Sequence, residues 1–383
     1  MEFVVATWQA GGATQVAIGL GRLLAEAGHR VRIFAPDEYQ ARISAVGCVH
    51  VAWPPGLALD QSRPAEEQWD ELRRVWFGRE LADAFITELE REPADVAVID
   101  YLLRSVAGGA EHIGVRSAML VHTIFGFHGG AGDDDATRER WYEPVNASRI
   151  GLGLEPLPPG PDSVTVTLVR RAGAGIVVIP REFDDWPDPP PNVVHVGPLN
   201  DDPPAARWVS PWPDDDERPL VVVSLGTTYM AQEAVLDRIA GALDPSRCRV
   251  LICTGSDLSP DSIAVPAGVV VRASVPHDVV LPGAALAITH AGTGTLLAAF
   301  AAGVPVLCVP LGRDQPANAR RVGELGLGAS LPPESSSAEI RAAVARLLGD
   351  ESVTSRAREL GETIRGYRGA IGAVTALERL GTD

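Results

Sequence analysis

Short apolar runs alternate with helically spaced apolar positions along most of the chain. Residues 3–6 form such a run, and Gly11-Gly12 breaks it. Then Val16, Leu20, Leu23, Leu24 and Ala27 recur at helical spacing, with Gly28 as the stop. Residues 31–35 read as the next strand. A strand, a helical crossover and a second strand make a β-α-β unit, a parallel sheet buried on both faces. The alternation continues with strands at 96–99, ending on Asp100, at 117–121, ending on His122, and at 174–179 before Pro180; a small-residue helix through Ala107 and Ala110 joins the first two.

Residues 184–219 are rich in Pro, Asp and Trp and have no sustained periodicity. Apart from 193–197, expected to pack locally, this stretch reads as the exit from a first domain. A second alternation comes after it, with strands at 220–224, 249–253, 269–272, 286–289 and 306–309, a helix over 338–348, and a charged helical stretch over 355–380. The expected organisation is α/β: two doubly wound Rossmann-like domains facing a cleft, at 1–204 and 219–383, with a linker at 205–218 and a C-terminal helix that could return to the first domain.

Length agrees, because 383 residues exceed what one core usually holds. The net charge of −17 argues against nucleic acid and anionic membrane surfaces as partners. It leaves open one phosphorylated small molecule, since a helix N-terminus can bind a diphosphate inside an acidic protein. Cys48, Cys248, Cys253 and Cys308 have no metal-ligand or redox spacing and read as reduced, buried thiols. The start lacks a signal-peptide pattern and no apolar run is long enough to span a bilayer, so a soluble cytoplasmic protein is expected.

The strongest chemistry lies where the strand at 286–289 runs into His290-Ala-Gly292-Thr293-Gly294-Thr295 and then a helix of small and apolar residues. Unpaired N–H groups at a helix start, added to the macrodipole, favour negative charge. Glycines let phosphates approach, Thr293 and Thr295 add hydroxyls, and His290 can donate another hydrogen bond. Taken locally, the pattern suits an ordinary β-α turn equally well. The segment after the next strand separates the two readings: Asp314-Gln315-Pro-Ala-Asn318 stands past that strand's end, where doubly wound sheets place ligands.

The span from His290 to Asn318 resembles the donor-binding signature of family 1 glycosyltransferases, the group holding bacterial macrolide and natural-product enzymes and the UDP-sugar enzymes of plants and animals. Val275-Pro-His-Asp278 with Leu281-Pro282, and Ser224-Leu-Gly226-Thr227, resemble further segments of that family. The resemblance covers most of residues 220–330, and in the N-terminal half mainly the layout. It implies a GT-B fold and an inverting, metal-independent transfer from a nucleotide sugar to a hydrophobic small molecule. His290, Gly292, Thr293, Gly294 and Thr295 would hold the diphosphate, bordered by Ser224, Gly226 and Thr227. Asp314 and Gln315 would hold sugar hydroxyls, and the backbone at Val275 would meet the base. No cofactor beyond the co-substrate and no metal site is expected, and a homodimer stays open.

Three departures stand out. Ser274 takes the place of a base-stacking Trp. Ala298 takes that of a Glu that binds both ribose hydroxyls, which favours dTDP-sugar over UDP-sugar. Gly12-Ala13 takes that of Gly-His, which carries the general base. Asp100 matches the usual partner of that missing histidine, so Asp100 or His122 could act as the base. An acceptor that needs only positioning, or loss of catalysis in favour of an auxiliary role, are the alternatives; a GT-B epimerase acting on the nucleotide sugar alone is a third. Gln9, Gly11, Gly12 and Phe125 are assigned to the acceptor side. Trp69, Trp76 and Trp141, with Phe77, Phe85, Phe125 and Phe127, could line an apolar acceptor pocket, though aromatics at such spacing are more often core. The aspartates at 133–135 and 214–216 read as solvated loops.

Overall fold

The computed structural model describes residues 1–9, 11–57, 59–60, 63, 65–124, 135–158, 160, 162–186, 188–199, 208–226, 230–255, 258–367 and 369–382, with 65, 66 and 135–140 by backbone alone. The chain divides into two compact units. One comprises Met1–Asp60, Glu66–Asp202 and Tyr367–Asp383; the other comprises Gln61–Ala65 and Pro203–Gly366.

Among the described residues the first unit is built on seven parallel strands: β1 (Glu2–Ala6), β2 (Arg30–Ala35), β3 (Val49–Ala52), β4 (Val96–Asp100), β5 (Arg116–Val121), β6 (Ala174–Val177) and β7 (Val193–His195), in the order β3-β2-β1-β4-β5-β6-β7. The second has six: β8 (Leu220–Ser224), β9 (Arg249–Cys253), β10 (Val269–Arg272), β11 (Leu286–Thr289), β12 (Val306–Cys308) and β13 (Gly328–Ser330), in the order β10-β9-β8-β11-β12-β13. In both sheets the first strand is central and the fourth joins its other side. The strand order therefore reverses between β1 and β4, and between β8 and β11, which are the points where doubly wound sheets bind ligands beyond their strand ends.

Local sequence explains the elements. β1, β4 and β8 are buried along nearly their whole length, as continuous apolar runs in a covered parallel sheet require. The first helix spans Gly11–Glu26, so the glycine pair read as a breaker is its opening turn. It ends as expected: Gly28 adopts a φ of +87°, and the N–H groups of His29 and Gly28 return to Leu24 and Ala25. The last helix, Gly369–Thr382, packs Ala373 and Leu377, both fully buried, into the first unit's core. The tail thus joins the first unit, whereas the sequence boundaries ran the second domain to residue 383. All four cysteines are buried and unpaired. Among the described residues no helix is long and apolar enough to cross a membrane.

Candidate functional site

In the second unit, Ser224 and Thr289 sit opposite each other at the ends of β8 and β11. His290 comes directly after Thr289, and its ring lies against two glycines. A Cβ on Gly226 would fall 2.8 Å from its Cε1 and Nε2, and one on Gly292 would fall closer still to Nε2. Both glycines are there because the imidazole occupies the space of a side chain. Burial pushes His290 down to about 4, partly opposed by the charge of Asp314 and by a hydrogen bond to the Ser224 backbone. The ring is therefore neutral near pH 7, although its edge is half-exposed. His277 lies close enough to disfavour its protonation further.

The helix Thr293–Ala301 starts immediately after this ring. Its cap is Gly292, which brings no side-chain acceptor, and its first turn contains no acidic residue. No backbone carbonyl among the described residues accepts from the amides of Thr293, Gly294 or Thr295. The turn leading into it is strained, with Ala291 at a φ of +67°. Two hydrogen bonds hold it there, from the Ala291 amide to Thr289 Oγ1 (3.2 Å) and from Asn318 Nδ2 to the Ala291 carbonyl (3.0 Å).

Asn318 also donates to Asp314 Oδ2 at 3.0 Å and lies 3.4 Å from Thr293 Oγ1. Asp314 stands at the N-cap position of the helix Gln315–Glu324, and Thr293 Oγ1 donates to its Oδ2 at 3.4 Å. Asp314 is thus tied to the turn at Ala291 through the fully buried amide of Asn318. Gln315 is buried, and its Oε1 accepts from the amides of Leu311 (2.7 Å) and Gly312 (3.1 Å), while Nε2 faces Met230 Sδ at 3.3 Å. The Gln315 carboxamide oxygen therefore shapes the preceding loop. Val275 is half-buried, and its backbone reaches the Cys253 sulfur. Sequence reasoning assigned Asn318 no role. The signal was a polar residue beside Ala319 and Val322 on the buried face of a helix, one turn after Asp314.

In the first unit, register alone brings two candidates together. Asp100 pairs with Leu120 across β4 and β5, and His122 lies two residues beyond Leu120, on the same sheet face. His122 Nε2 is 3.0 Å from Asp100 Oδ2. The Asp100 carboxylate is fully buried and also accepts from the Leu102 amide at 3.0 Å, while the imidazole is 16% exposed. The Tyr101 ring lies 4.9 Å from that of His122. The arrangement is an oriented His–Asp pair at the strand ends.

The residues the sequence assigned to the acceptor side are placed differently. Gln9 is buried, with Nε2 donating to Glu38 (3.0 Å) and Oε1 accepting from the Leu59 amide (2.6 Å). Its carboxamide is engaged at both ends by the chain itself. Gly11 and Gly12 open the first helix, and a Cβ on Gly12 would meet nothing within 4 Å. Phe125, Phe127 and Thr227 lie outside the described residues. Trp69, Trp76, Phe77 and Trp141 form one cluster of ring contacts. Among the described residues no group of three or more His, Cys, Asp or Glu could hold a metal ion.

Residues 234–366 match the family model described as erythromycin biosynthesis protein CIII-like, C-terminal domain. The chain is 31% identical over 379 residues to NDP-glycosyltransferase YjiC of Bacillus licheniformis, covering 94% of this chain and 93% of that one. The Bacillus subtilis protein of the same name is 34% identical over 167 residues, 43% of each chain. Among solved structures, CalG4, the calicheamicin glycosyltransferase, superimposes with a TM-score of 0.78 at 25% identity, covering 99% of this chain and 97% of that one. A relative this similar along nearly its whole length, on the same two-sheet architecture, settles the family: the chain belongs to the GT-B nucleotide-sugar glycosyltransferases, alongside the bacterial natural-product enzymes.

Proposed function

We propose that this enzyme transfers a sugar, with inversion and without a metal ion, from a nucleotide diphosphate to a hydroxyl of a hydrophobic natural product. The observation that carries the reading is the His290 turn. A helix opens on glycine with its first amides uncapped, directly beside an imidazole that two glycines admit. Charge appearing on the departing diphosphate is met there by backbone amides and by the imidazole, whose protonated form that charge favours, the role a cation fills elsewhere. Asp314, held by Asn318, accepts hydrogen bonds from the sugar hydroxyls; Gln315 can add only its Nε2, which now faces a thioether. Ala298 offers no carboxylate to a ribose 2′-hydroxyl, which favours a dTDP-sugar over a UDP-sugar. The names of the matched family and of CalG4 point to a natural-product acceptor.

On the acceptor side, the His122–Asp100 pair replaces the histidine missing at Gly12-Ala13. With Nε2 held at Asp100, the His122 imidazole takes the proton of the acceptor hydroxyl as the hydroxyl oxygen bonds to the anomeric carbon and the bond to the diphosphate breaks. Asp100 then stabilises the imidazolium. A single displacement of this kind inverts the centre.

The test combines calorimetric titration of dTDP and UDP with turnover of a dTDP-sugar. His290→Ala and Asp314→Ala should weaken binding of nucleotide or nucleotide sugar by about tenfold or more. His122→Ala should leave dTDP binding intact and lower kcat by roughly 10²–10⁴-fold. Nucleotide binding indifferent to both donor-site substitutions refutes the site, and full turnover by His122→Ala refutes the base.

A further inference from the structure

Close to the His–Asp pair, the first unit buries a cation whose donors are mostly unused. Arg104 opens the helix Arg104–His112 and is 5% exposed. Its guanidinium lies 5.3 Å from the ring centroids of both Phe77 and Trp141, which stack on each other at 5.7 Å. Nη2 makes one long hydrogen bond, 3.4 Å to Thr165 Oγ1, while Nε and Nη1 have no partner among the described residues. Ring faces attract the charge but accept no in-plane N–H. Asp100 acts on Arg104 through space, while its oxygens serve His122 and the Leu102 amide. Burial pushes the guanidinium down to about 10, still cationic at neutral pH.

The same neighbourhood holds more unused donors. The indole N–H groups of Trp8 and Trp76 are buried without partners among the described residues, and their rings meet edge-on at 5.4 Å. Trp76 lies 6.3 Å from Trp141, so these indoles and the guanidinium belong to one cluster. Trp69, Trp76 and Trp141 are only partly covered, so the aromatic wall is accessible at its rim. Arg and Trp side chains donate and never accept. A buried group of donors without acceptors is a shape that folded proteins seldom leave unfilled.

We propose that Arg104, with Trp8, Trp69, Trp76, Phe77 and Trp141, recognises a planar aromatic acceptor carrying an anionic oxygen, a carboxylate or a phenolate. The rings cover the flat body of the molecule, and the guanidinium and indole N–H groups take its oxygens. This deepens the acceptor side of the transfer reading above and rests on it. A guanidinium serving only as a core cation between rings would bind ligands without regard to their charge.

The experiment monitors tryptophan fluorescence of the full chain without any sugar donor. Two matched pairs are titrated: a hydroxynaphthoate against its methyl ester, and a nitrophenolate against its methyl ether. The anionic member of at least one pair should bind about tenfold or more tighter than its neutral twin, as a charge-assisted hydrogen bond implies. The pair that discriminates identifies the oxygen as carboxylate or phenolate. Arg104→Met should erase the difference and leave the neutral twin's affinity unchanged. Arg104→Lys, which keeps charge without the planar fork, should retain part of it. Equal affinities within both pairs for the native chain overturn the proposal, whatever the variants do, and so does discrimination that survives Arg104→Met. Sugar transfer is assayed separately: turnover without charge discrimination sinks only this inference, and discrimination without turnover of any donor sinks only the transfer reading.

Discussion

Burial of the His290 ring couples the stability of the fold to pH. An unfolded chain protonates this imidazole below about 6.5, whereas the fold does so only near 4. Between those values the unfolded state binds more protons, so stability falls as pH drops through that window, by at most about 3 kcal/mol. Comparing melting temperatures at pH 7 and pH 5 should show the native chain losing more than His290→Gln. A bound diphosphate adds negative charge beside the ring and favours its protonated form. Nucleotide affinity should therefore rise on acidification in the native chain relative to the glutamine variant, and parallel pH profiles would contradict this assignment. At this scale the sequence was partly legible. His290, Asp314, Asp100 and His122 were readable one by one, as polar residues ending apolar runs. The bond between Asp100 and His122 was not readable, because it depends on a strand register that the residues alone do not state. Gln9 looked like a ligand because it comes just after β1, yet its carboxamide is used locally by Glu38 and Leu59.

The helix Thr293–Ala301 opens beside two glycines in different surroundings. Gly292 is needed by a side chain already present, since a Cβ there collides with His290, while a Cβ on Gly294 meets nothing within 4 Å. Gly292→Ala should therefore cost about 1–3 kcal/mol of stability as well as nucleotide affinity. Gly294→Ala should fold at least as stably, gaining up to about 1 kcal/mol of helix propensity, and still bind nucleotide more weakly because its methyl enters the space a phosphate would use. Chemical denaturation and calorimetric titration on both variants check this, and unchanged affinity in Gly294→Ala would remove the phosphate from that turn. The central strands were legible as continuous apolar runs, whereas β3 and β13 were not. Both are short and incompletely buried strands at sheet edges, and β13 is only Gly-Ala-Ser. At Gly328 the backbone of β12 passes so close that any side chain would strike the Val306 carbonyl, a constraint a lone glycine does not announce. The helix Ser337–Leu348 was readable because Ser336 and Glu339 form a capping box ahead of an apolar stripe.

For the molecule as a whole, the division into two doubly wound units was legible from the repeated alternation and the Pro- and Asp-rich stretch between. The destination of the last helix was only half legible: its amphipathic spacing shows one apolar face, and nothing in that spacing names the surface it covers. The structure gives that surface as the first unit's core, where Leu377 is fully buried with Ala17, Leu20 and Ile176. Leu377→Ala should destabilise that unit by about 2–5 kcal/mol. Hydrogen exchange should then speed up in β1 and β6 and leave β8 and β11 unaffected; equal loosening of both sheets would argue against this partition. Exchanging the second unit for that of another protein would have to respect the path of the chain. Because the chain leaves its first unit at Asp202 and re-enters it at Tyr367, a chimera with one crossover would carry a foreign helix against the native sheet. Grafts bounded by both junctions, exchanging only the segment between them, are the ones this architecture permits.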